Sequence, residues 1–217
     1  METTVKQPTE KNTKLTFEIV QDSTPLNPFK DHDGNAPLMY TSGRYAGKTD
    51  YSEGGILEAI QEAATDGKII RHGEKILDIF RDEISNATVK ELGKLCELFK
   101  LPYKQYTSRG YSQEDWAEVL IVLTPEFYET TGAPKENEQK DLEGAAQLFD
   151  HWAWGDVYGF KIYKETTCQC CGETKEEEID SCYGFFGTDF LNNGMLDYFP
   201  EELHEKLKNF NTSDIKY

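Results

Sequence analysis

Apolar and polar residues first alternate at Leu-Thr-Phe-Glu-Ile-Val, residues 15–20, the period-two pattern of a strand with one buried face. Residues 1–14 are largely polar and read as a flexible tail. Residues 21–54 carry Pro25, Pro28 and Pro37 with Gly34, Gly43, Gly47 and Gly54, so they read as a long functional loop or as short elements hidden from the pattern. From residue 55 the period becomes helical. Ile56, Leu57, Ile60 and Ala64 share a stripe that stops at Gly67, and Ile76, Leu77, Phe80 and Ile84 form a second. Val89, Leu92, Leu95, Cys96 and Phe99 form a third, opened by Thr88 with Glu91 three residues on, the capping-box spacing. These three helices over 55–98 read as an insertion or cap.

Beyond Pro102 the strand period returns at 103–108. Residues 116–123, Trp-Ala-Glu-Val-Leu-Ile-Val-Leu, have the β-branched apolar character of a central strand, ended by Pro125. Residues 138–153 place Leu142, Ala145, Ala146, Phe149 and Trp152 on one helical side. Residues 156–165 and 175–183 read as the two arms of a hairpin, and 188–196 and 200–209 as short helices. The expected fold class is α+β: one antiparallel sheet with packed helices and a three-helix segment in the N-terminal half, a single domain over 15–217.

Charge changes this picture. The chain of 217 residues holds 40 acidic and 23 basic side chains, a net of −17. Residues 1–110 hold 17 acidic against 15 basic, whereas 111–217 hold 23 against 8. Aromatic residues divide 9 to 18 the same way, so the acidic half also carries most of the core-forming rings and is folded rather than a disordered tail. The acid excess argues against direct nucleic-acid binding. No apolar run is long enough for a membrane span or a signal-peptide core. Five cysteines, an odd number without a secretory segment, point to a reducing compartment, hence to thiols or a metal site rather than a disulfide framework.

Candidate chemistry concentrates at the hairpin turn. Cys168-x-x-Cys171-Gly172 has the spacing of a zinc knuckle, two thiolates from one tight turn. A tetrahedral site needs two more ligands, which Cys170, Cys182 across the hairpin, a histidine or a carboxylate must supply; otherwise the turn is an exposed tip with free thiols. Next to it, Glu173, Glu176, Glu177, Glu178 and Asp180 form either a solvated strand edge or an anionic docking face for a partner. His32, His72, His151 and His204 are dispersed, and no nucleophile motif accompanies them, so no catalytic residue is assigned. Asp31-His32-Asp33-Gly34 reads as an Asx-type turn. Gly47-Lys48-Thr49 imitates the end of a phosphate-binding loop but lacks the first glycine, which is Ser42. Arg109 is expected to pair with a carboxylate such as Asp115 or Asp156.

Three segments carry a resemblance: Ser108-Arg109-Gly110-Tyr111-Ser112-Gln113 followed by Asp115 and the 119–122 strand, then Trp154-Gly155-Asp156-Val157-Tyr158-Gly159-Phe160, then Asp180-Ser181-Cys182-Tyr183-Gly184-Phe185-Phe186-Gly187. Over roughly residues 103–190 the chain resembles a family of uncharacterised phage and prophage proteins that pair a GDVYGF strand with a DSCxGFxG strand. The resemblance implies a phage or mobile-element origin and a bacterial cytoplasm, and no settled activity. Together with the acidity it leads to an expected function: a non-enzymatic binder that inhibits a host DNA- or RNA-binding defence protein of restriction or CRISPR type by occupying a basic groove as a DNA mimic. The alternatives are a small-molecule-binding protein or enzyme using the 21–54 loop and the Arg109 region, and a zinc-stabilised structural adaptor.

Overall fold

A computed structural model describes residues 12–29, 36–42, 89–112, 114–168 and 170–217. In chain order the elements are β1 (Asn12–Gln21), β2 (Leu38–Ser42), α1 (Val89–Leu98), β3 (Tyr103–Arg109), β4 (Trp116–Val122), α2 (Pro125–Thr131), α3 (Glu138–Trp154), β5 (Val157–Thr167), β6 (Thr174–Phe186) and α4 (Glu201–Lys208). The fold is α+β, and its strands form two antiparallel three-stranded sheets rather than the one sheet expected. They belong to two compact units, Met1–Leu26 with Gly155–Tyr217, and Asn27–Trp154.

In the first unit the strand order is β1-β5-β6. Alternation along β1 puts Leu15, Phe17 and Ile19 on one face, and the register sets Phe17 opposite Ile162 and Ile19 opposite Phe160. That face is covered by the C-terminal segment, from which Phe190, Met195, Phe199, Leu203, Leu207 and Ile215 join the same core. Phe199 packs edge-on against both Phe17 and Phe160, with ring centroids 5.0 and 4.8 Å apart. Helix α4 follows Pro200, a residue tolerated where the chain enters a helix, and carries Glu201 and Glu202 in its first turn with Lys206 and Lys208 in its last, matching the helix dipole. The chain then returns to the free edge of β1: Lys216 N–H donates to the Ile19 carbonyl, and Gln21 N–H donates to the Lys216 carbonyl. The expected helix over 188–196 is instead a run of turns ending in a 3-10 turn at Met195–Tyr198; Asn193 caps that turn by accepting from Met195 N–H.

In the second unit β4 is central, in the order β2-β4-β3. Every residue from Val119 to Leu123 is buried, as the β-branched run requires. Helix α1 covers one side, with Val89, Leu92 and Cys96 against Leu120 and Val122. Helix α3 reaches the other side, where Lys104 Nζ bonds Glu143 at 2.6 Å and Tyr106 hydroxyl bonds the Ala146 carbonyl at 3.1 Å. Strand β2 lies inside the stretch read as a loop. Pro125 does end β4, but it also starts α2: Thr124 Oγ accepts from Phe127 N–H at 3.1 Å, and Gly132 closes the helix with φ +66°. Of the three-helix segment over 55–98, only the third helix appears among the described residues; the first two, like the Asp31–Gly34 turn and the Gly47-Lys48-Thr49 stretch, lie outside them.

Candidate functional site

The β5–β6 hairpin positions the cysteines. Its ladder runs to Thr167 opposite Thr174, whose hydroxyls are 3.1 Å apart, and the turn begins immediately after. Cys168 N–H donates to the Glu173 carbonyl and Gly172 N–H to the Cys168 carbonyl, both at 2.8 Å. Gly172 takes φ +71°, a conformation that glycine adopts without steric penalty. This closed turn gathers the sulfurs of Cys168, Cys170 and Cys171 within 4.8 Å of one another. Cys170 and Cys171 are exposed, and beyond Ile162 no described residue of the hairpin is buried until Phe185.

The electrostatics of the turn favour a thiolate. The Cys170 thiol, 2.7 Å from Cys168 Sγ, and the backbone N–H groups of Cys170 and Cys171 hold the Cys168 thiol down at about 6. The same contact pushes the Cys170 thiol up. Two backbone N–H groups aimed at the first sulfur of a C-x-x-C-G turn prepare it as a metal ligand, since the thiolate is the coordinating form. Zinc bonded to thiolates at about 2.3 Å in a tetrahedron separates them by about 3.8 Å. The cluster closes on such an ion if Cys170 moves from Cys168 by about 1 Å, or if Cys170 stays outside the ligand set. The donors fit a soft metal.

Cys182 does not join them. It stands opposite Phe160 and packs partly buried against the core of its unit. It lies eight residues along β6 from Thr174, about 26 Å at a strand's rise. Among the described residues no histidine or carboxylate completes the set.

The acidic run is brought onto the same hairpin. Glu173, Glu176, Glu177, Glu178 and Asp180 are all exposed. The register divides them. Glu176 faces Glu165 and Glu178 faces Tyr163 on one side of the sheet, while Glu177 faces Lys164 and Asp180 faces Ile162 on the other. The extra residue Ile179 makes the bulge that separates Glu178 from Asp180. Lys161 lies 3.7 Å from Glu178, and Lys14 the same distance from Glu165. The carboxylates thus wrap around a strand edge instead of tiling one face.

The two glycine-rich segments of the sequence are neighbours in this hairpin, with Tyr158 opposite Phe185, Gly159 opposite Tyr183 and Phe160 opposite Cys182. Gly159 is required by close approach: a Cβ there would sit 2.3 Å from the Tyr183 ring and 2.8 Å from the Cys182 carbonyl. Gly184 is the unpaired residue of a second bulge, at φ +90°.

A polar network in the second unit escaped the sequence pattern. Ser108, itself buried, donates to Asp150 Oδ1 at 2.5 Å and accepts from Trp154 Nε1 at 2.7 Å, and Tyr106 hydroxyl reaches the same carboxylate at 3.1 Å. Burial and the neighbouring Asp150 push the Tyr106 hydroxyl far above its ordinary range. The period-two pattern signalled only that Tyr106 and Ser108 share a face. The network locks α3 onto β3. Arg109 is exposed, and among the described residues no ion pair joins it to Asp115. An open depression does lie along β3, lined by Tyr103, Gln105, Thr107, Glu118 and Gln139 among others; it does not include Arg109, Tyr111 or Trp154.

No protein-family model, curated protein or solved structure matches the chain. No helix among the described residues is long and apolar enough to cross a membrane.

Proposed function

We propose that the protein is a non-catalytic binder whose working element is the β5–β6 hairpin. Its partner is a basic groove on a host DNA- or RNA-binding defence protein of restriction or CRISPR type. One observation carries the reading: Thr174–Ser181 is exposed throughout and displays Glu176, Glu177, Glu178 and Asp180 around one strand edge. Carboxylates spaced along a projecting strand meet a groove that normally holds phosphates, and desolvation there strengthens them relative to scattered surface acids. The mimicry is then that of a single charged strand edge, not of a whole duplex face. A pull-down from bacterial lysate at low and high salt tests this. The expected result is a nucleic-acid-binding defence subunit that is lost at high salt or displaced by DNA; no specific partner at either salt, from a lysate with intact defence systems, overturns it.

The thiolate turn favours a second function of the same hairpin, zinc binding that stiffens its tip. The support is the closed C-x-x-C-G turn, which gathers the sulfurs of Cys168, Cys170 and Cys171 within 4.8 Å of one another. Elemental analysis of protein purified under reductant, then given zinc and freed of excess, tests it. A metal content below about a tenth of an equivalent per chain removes the zinc reading.

A further inference from the structure

Resting on that zinc reading, we propose that the hairpin tip is half of a metal site and that a second copy of this chain supplies the other half. One zinc ion then bridges two tips through Cys168 and Cys171 of each.

Structural zinc is held by four ligands around a tetrahedron. Three sulfurs gather here, all from one turn of four residues. The fourth cysteine of the hairpin is tied into the core at Phe160, far along β6. Among the described residues no other metal-binding side chain reaches the cluster. A single tip therefore leaves one side of the ion open, and that side faces solvent, because Cys170, Cys171, Gly172 and Glu173 are all exposed. Cys168 and Cys171 are the chelating pair of the knuckle spacing. Cys170 adds a third sulfur that the knuckle spacing does not use. Two such pairs make a complete tetrathiolate site, and the protons still held by its thiols leave for solvent as the ion enters.

The charge around the tip sets the sign of a salt effect. Each tip brings Glu173 and, a few residues on, Glu176, Glu177 and Glu178, so two metal-free tips repel. Screening weakens that repulsion as the Debye length falls from about 10 Å at 0.1 M to about 3 Å at 1 M. Bridging is therefore favoured by added salt, whereas binding to a basic partner is weakened by it.

The test uses the full chain, reduced, with zinc sulfate or with chelator, followed by sedimentation velocity and metal content. The expected result is a zinc-dependent species of twice the 24.8 kDa chain, holding half an equivalent of zinc per chain. Cys171→Ser should abolish both the dimer and the metal, and Cys170→Ser should leave both in place. One equivalent per chain in a monomer overturns the bridge and leaves the zinc reading standing. No bound metal overturns both. A dimer lost in Cys170→Ser overturns the assignment of the ligand pair.

Discussion

At Gly159 two constraints meet that a larger residue cannot satisfy together. The Tyr183 ring lies over the glycine, and the Cys182 carbonyl passes close beside it. An aromatic ring covering a strand glycine recovers the apolar contact that the missing side chain forfeits. Gly159→Ala is expected to lose about 1–3 kcal/mol, the usual range for overpacking. Removing the ring as well, in Gly159→Ala with Tyr183→Ala, should recover only part of it, because the carbonyl 2.8 Å away remains. Urea denaturation of the native protein and these two variants decides; full recovery would mean that the ring alone excludes the methyl group. Cys96 offers a pH-dependent counterpart. Burial pushes its thiol up from 9.0 to about 12. The neutral thiol thus stabilises the fold fully below about pH 9, and that contribution is lost as pH rises from there toward 12. Stability should fall more steeply above pH 9 in the native protein than in Cys96→Ala, and at pH 8 a thiol reagent should modify the exposed Cys170 and Cys171 long before Cys96. Equal slopes for the two proteins would mean that the buried thiol titrates freely.

Elements differ in how openly the sequence announces them. Helix α3 and strand β4 follow from periodicity because α3 buries one face and β4 both, and β1 because alternation turns Leu15, Phe17 and Ile19 toward one core; β6, exposed from Thr174 to Ser181, was read only as the second arm of a hairpin. Strand β2 did not follow from periodicity, since Leu-Met-Tyr-Thr-Ser is five residues hemmed between Pro37 and Gly43, too short to establish a period. Helix α2 hides behind Pro125, a residue that stops a strand and equally starts a helix; only the Thr124 cap distinguishes the two. The pairing of strands into two sheets was not legible at all, because alternation records that a face is buried and not which strand lies beside it. The candidate site was half legible. Cys168 and Cys171 declared themselves by spacing, whereas the distance of Cys182 from them depends on a register that includes the bulge at Ile179. Helix α4 shows what the covering segment contributes. Leu203 is wholly buried against the sheet, so Leu203→Ala should destabilise the protein by about 2–5 kcal/mol. A loss under 1 kcal/mol in thermal or urea unfolding would mean that the C-terminal segment is not part of the sheet's core.

Over the whole molecule the negative charge is distributed more evenly than the hairpin alone suggests. Residues 27–154 hold 23 acidic and 14 basic side chains, and residues 1–26 with 155–217 hold 17 and 9, so the two units share the excess almost equally. Acidity by itself therefore does not single out the hairpin; arrangement does. Long-range steering responds to total charge, while a seated contact responds to the carboxylates that reach the groove. Reversing Glu176, Glu177, Glu178 and Asp180 to lysine changes the net charge by the same amount as reversing Glu97, Glu126, Glu129 and Glu136, which are exposed in the other unit. Both variants should slow association with the captured partner at low salt. Only the hairpin variant should also hasten dissociation, and its loss of affinity should persist at a salt concentration where steering is screened. Equal losses from the two variants, vanishing together with salt, would make the binder a diffuse acidic body and remove the hairpin from its interface.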